Sequence, residues 1–64
     1  MKVIEQHELK FEDLSIEQTI YNTPNGIWRD NIVMKNMGEY WEELPPNHPD
    51  FTKMIIKLHN HKHQ

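Results

Sequence analysis

Apolar residues recur at two periods along this chain, and the change of period divides it. From Leu14 to Ile32 they largely alternate with polar ones about a single turn signal, Thr23-Pro24-Asn25-Gly26. Proline presets φ for the first corner of a turn, asparagine suits the second, and glycine accepts a left-handed position. That chemistry predicts a three-residue hairpin loop closed by a glycine bulge. With Thr23 facing Ile27, the side chains of Leu14, Ile16, Ile20, Trp28 and Ile32 fall on one side. Ser15, Glu17, Thr19, Tyr21, Arg29 and Asn31 fall on the other, where Ile27 is the main apolar exception. Such alternation is the mark of a half-buried antiparallel pair. A short helix from Ile16 to Asn22 competes with it, because Ser15-Ile16-Glu17-Gln18 has the form of a capping box.

Residues 3–11 fit either period. Val3, His7, Leu9 and Phe11 read as a strand, whereas Val3, Ile4, His7, Phe11 and Leu14 share one helical face. The turn-like Glu12-Asp13 favours the strand. Beyond Ile32 the spacing becomes helical. Val33, Met37, Tyr40 and Leu44, widened by Met34 and Trp41, predict a helix from Val33 to Leu44 that contains Gly38, at a cost of ~1 kcal/mol against alanine, and is stopped by Pro45-Pro46. Asp50 then caps a second predicted helix with Phe51, Met54, Ile55 and Leu58 at i, i+3, i+4 and i+7.

The expected fold class is therefore α+β. An N-terminal antiparallel hairpin or three-strand meander precedes two short helices, with a small all-α bundle as the alternative. Residues 1–64 form one small domain in this reading, and residues 59–64 a frayed polar tail. Trp28 and Trp41, the largest side chains, are expected in the core.

Length sharpens this picture. A 64-residue chain buries only ~60% of the surface its unfolded form exposes, so its core supplies a few kcal/mol, roughly 3–5. With no cysteine, no disulfide can reinforce it. The first residues carry no apolar block and no run approaches the ~18 residues of a membrane span, which together predict a cytoplasmic chain. Alanine is absent while Ile, Asn, Lys and Glu abound, the bias of an AT-rich genome such as that of a low-GC bacterium or its phage.

The formal charge of −3 is unevenly spread, with nine acids and four bases before Pro45 and one acid and three bases after Leu44. One arginine and no basic cluster argue against direct binding to nucleic acid. A faint helix-turn-helix echo at Ile20, Gly26, Ile27 and Ile32 is opposed by Pro24 and by the acidic charge.

Candidate chemistry is sparse. Ser15 is the only serine and lacks a nucleophile elbow, and the two glycines form no phosphate loop. Five histidines raise a metal reading, with His59, His61 and His63 concentrated at the C-terminus. A fixed zinc site needs about four ligands held in place, which a frayed tail does not hold. No catalytic, cofactor or metal site is predicted.

What remains is a partner-binding surface. The register above turns Tyr21 and Ile27 outward beside Arg29, and tyrosine and arginine are enriched at interface hot spots. Glu39, Glu42 and Glu43 would line a solvated helix face that meets a basic surface. The function expected is a small non-enzymatic regulator or inhibitor that occupies a surface of a larger protein. A metal-binding accessory protein using the histidine tail and a homo-oligomeric structural subunit are the alternatives.

Overall fold

In the computed structural model, which describes residues 1–63, the chain forms a four-stranded antiparallel sheet covered on one face by a single helix. The strands are β1 (Lys2–Phe11), β2 (Leu14–Thr23), β3 (Gly26–Asn36) and β4 (Trp41–Glu43), and they lie in sequence order. Helix α1 runs from Pro49 to Lys62. The α+β expectation is met by a meander with one helix, not two.

Each connection shows why the chain reverses where it does. Glu12-Asp13 joins β1 to β2 with Glu12 at φ +57°, and the Asp13 carbonyl accepts from the Asn36 amide at 2.7 Å. Pro24-Asn25 joins β2 to β3. Its backbone is held by the Thr23 hydroxyl, which accepts from the Asn25 amide at 3.2 Å and donates to the Gly26 carbonyl at 2.7 Å. At the β3–β4 turn Gly38 takes φ +106°, its amide donates to Asn36 Oδ1 at 2.8 Å, and the Met37 amide bonds to the Tyr40 carbonyl at 2.8 Å.

The β2–β3 loop corrects the expected register. Gly26, at φ +116°, pairs with Thr23 as the first residue of β3, so the loop has two residues where three were expected. A slip of one residue sends every side chain of the returning strand to the opposite face. Tyr21 therefore lies opposite Trp28, Ile20 opposite Arg29 and Ile16 opposite Val33. Val33 enters the core, while Trp28 turns out of it and stays 62% exposed.

The helix expected from Val33 to Leu44 does not form; these residues end β3, turn and make β4. Gly38 favours that outcome, since it costs a helix ~1 kcal/mol relative to alanine yet accepts the positive φ the turn requires. Pairing also buries both ends of the segment, with the Leu44 amide donating to the Val33 carbonyl at 2.8 Å. Met37, Tyr40 and Trp41, expected inside, are exposed. The helical spacing of Val33 and Leu44 was a coincidence of two residues that meet across strands.

The second predicted helix is the one that forms. Met54 and Leu58 are buried, and Phe51 and Ile55 pack beside them against Leu14, Ile16, Val33 and Leu44. The N-cap is His48, whose Nδ1 accepts from the Asp50 amide at 3.1 Å, with Pro49 beginning the first turn. Lys57 stands 3.6 Å from the centroid of the Phe11 ring, its stem covering the sheet edge and its charge held over the π face. The expected tail is helical as far as Lys62, whose ammonium donates to Gln18 Oε1 at 3.0 Å; Gln64 lies outside the described residues.

Candidate functional site: the uncovered face of the sheet

Side chains alternate across the sheet, so each strand feeds two faces. One face, beneath α1, carries Leu9, Leu14, Ile16, Val33 and Leu44. Among the described residues no element lies over the other. In a sheet whose second face simply meets water, that face would be polar. Here β3 places Trp28, Ile32 and Met34 on it, separated by Asp30, and β4 adds Trp41 beside Met34. Val3 and Tyr21 extend the apolar band across β1 and β2 at the level of Trp28. Trp28 and Trp41 are 62% and 45% exposed.

The band encloses two shallow concavities. One, of about 650 Å³, lies at the hairpin tip between Tyr21, Pro24 and Trp28, with Met1 at its margin. The other, of about 440 Å³, is floored by Ile32 and Met34, walled by Trp41, and rimmed by Glu8 and Glu17. Both are open; the first is mainly apolar, and the second sets its apolar floor against the polar side chains of Glu8, Lys10, Ser15 and Glu17, forms suited to side chains of a partner.

Charge on this face is one-sided. Glu8, Glu17, Asp30 and Glu43 are all exposed on it, and Lys10 is the cation that faces them. Glu8 lies directly opposite Glu17 across β1 and β2. Like charges so placed destabilise a strand pair. Lys10 approaches Glu8 at 3.8 Å, an exposed pair of small worth, and no ion pair reaches Glu17 among the described residues.

The residues singled out from sequence are divided by the observed register. Tyr21 and Glu43 lie on the uncovered face. Arg29 and Ile27 belong to the helix-bearing face, where Ile27 projects at the hairpin tip and is 54% exposed. Glu42, opposite Lys35, is also on the helix side, and Glu39 sits in the β3–β4 turn. The proposed trio of Tyr21, Ile27 and Arg29 therefore shares no face. Trp28 and Ile32 were missed because the register was one residue off, Met34 and Trp41 because a helix was expected in place of β3–β4, and Glu8 and Glu17 because nothing in the sequence set them beside an apolar band.

Polar groups gather on the other face near the C-terminal end of α1. His7 Nε2 lies 2.9 Å from Glu5 Oε2. The hydrogen bond from His7 holds the Glu5 carboxyl below its ordinary value; slight desolvation opposes this, and the charges of His7, Lys62 and Arg29 add to the lowering. His59 and His63 stack with centroids 4.5 Å apart, tilted by 54°. Among the described residues no three His, Cys, Asp or Glu side chains are gathered as a metal site would require. No helix among them is long and apolar enough to cross a membrane.

Comparison with models of known families, with curated proteins and with solved structures finds no match to this chain.

Proposed function

We propose that the chain is a small protein-binding domain that regulates or inhibits a larger partner by covering part of it with the free face of its sheet. The observation that carries this reading is the apolar band from Trp41 through the half-exposed Met34 and Ile32 to Trp28, broken only at Asp30, with no element among the described residues over it. Contiguous exposed apolar surface rimmed by polar groups marks an interaction site. Tryptophan is also among the residues that most often dominate binding energy when desolvated. The face is rigid, built on paired strands rather than on loops, so docking costs it little ordering.

The homo-oligomer reading gains less support. A two-fold interface sets one patch against its own copy. That arrangement would bring the carboxylates of this face together with one lysine per copy to offset them.

Capture from a native host lysate on the immobilised chain tests the proposal. Trp28→Ser and Trp41→Ser should each lose most of the captured partner, while Ile56→Ser, at an equally exposed apolar site on α1, should keep it. A partner retained by both tryptophan variants would place the interface elsewhere.

A further inference from the structure

Resting on that reading, we infer that the element docking on the free face is a cationic amphipathic helix of a partner protein, close to α1 in length. The apolar residues of β3 form a rail: Trp28, Ile32 and Met34 point the same way along one strand. Six residues of strand span ~20 Å, which corresponds to about thirteen residues of helix. Helix α1 is 14 residues long and covers the opposite face of the same strands.

The flanks of the rail choose the charge of its occupant. Glu17 and Glu8 border it on the β2–β1 side, Glu43 on the β4 side, and Asp30 interrupts it. An apolar seam between two acidic borders is the complement of a helix with an aliphatic stripe and Lys or Arg on either side. The opposed Glu8 and Glu17 make the point locally, because a partner cation between them would remove a repulsion that the isolated domain tolerates. Anionic partners, whether lipid surface or nucleic acid, meet the same sign of charge here. A second copy is disfavoured for the same reason, and an added strand would pair with a sheet edge and leave the rail bare.

Three peptides of about fourteen residues test this with the full chain. One has a leucine seam flanked by lysines, one replaces each lysine with glutamate, and one scrambles the cationic sequence so that the seam is lost. Tryptophan emission and backbone amide shifts report binding. The cationic amphipathic peptide should bind and shift amides along β3, with the other two weaker by about tenfold or more. The double variant Glu8→Gln with Glu17→Gln should weaken that binding by about tenfold, lower its salt dependence and raise the melting temperature of the free domain. A structural role alone would not move binding and stability in opposite directions.

Equal binding of the cationic and acidic peptides along β3 would overturn the charge assignment and leave the proposed docking face standing. Amide shifts along β3 that grow with protein concentration alone would assign the face to a second copy and overturn the inference. Absence of any peptide effect on β3 would overturn it too, with the lysate capture deciding the docking face independently.

Discussion

The two faces of one sheet differ in almost every respect, although alternate residues of the same strands build both. Beneath α1 the side chains are aliphatic, interlocked and almost free of water, with Ile16, Val33 and Met54 at 0% exposure. Across the sheet lie the tryptophans, a tyrosine and four carboxylates, and nothing covers them. Stability thus resides in small residues and one helix, and the largest apolar side chains contribute little to it. A domain this short can rarely spare two tryptophans from its core. Their exposure is the observation on which the docking role proposed for the second face rests.

Substitutions on the two faces should separate sharply. Ile16→Ala or Leu58→Ala should cost ~2–5 kcal/mol, the transfer energy plus a cavity, enough to unfold most of the population. Trp28→Ala, though it removes a larger side chain, should cost under ~1 kcal/mol because its site is already wet. Urea unfolding of the three variants makes the comparison, and equal losses would mean that the uncovered face is a second core.

Next in size are the turns that set the register. Gly26→Val and Gly38→Ala should each destabilise by ~1–3 kcal/mol, because both backbones hold positive φ. Space is not the obstacle, since no atom lies within 4 Å of an added Cβ at either site. Glu12 offers the converse: glycine at this left-handed position should stabilise by roughly 0.5–1 kcal/mol. Thermal melts of these variants test whether the loops define which side chains reach which face.

Much of this was legible in the sequence, and the failures have three causes. The alternation of β2 fixed Leu14, Ile16 and Ile20 on one side and Tyr21 on the other, as observed. The α1 stripe of Phe51, Met54, Ile55 and Leu58 was equally clear, because helical period and a proline stop before it agreed, although the cap is His48 and the expected cap, Asp50, lies inside the first turn. The β2–β3 turn was found but miscounted by one residue, and alternation transmits such an error along the whole strand. The segment after Ile32 misled differently: Val33 and Leu44 fit a helical period, and only cross-strand pairing, which is non-local, explains their burial. Size was the third false guide, since bulky aromatics were assigned inward when only register could place them.

The smallest expected effect distinguishes the polar end of the helix-bearing face. Glu5 is held below its ordinary value chiefly by the His7 hydrogen bond, so its contribution is present above the unfolded carboxyl value. That contribution is lost as pH falls through the lower folded value, a window beneath the ordinary glutamate value of about 4.3. Glu5→Gln should lower neutral stability slightly and leave stability below that window unchanged, so flattening the acid limb of stability against pH, followed by urea midpoints. A large loss at neutral pH would assign Glu5 a structural role beyond this pair.

The most direct measurement is acrylamide quenching of two single-tryptophan variants, Trp41→Phe to observe Trp28 and Trp28→Phe to observe Trp41. In the isolated, monomeric domain both indoles should emit at long wavelength and quench almost as freely as tryptophan in water, and both should become protected when the cationic amphipathic peptide is added. Blue-shifted, quench-resistant emission from either indole in the free monomer would contradict an open second face.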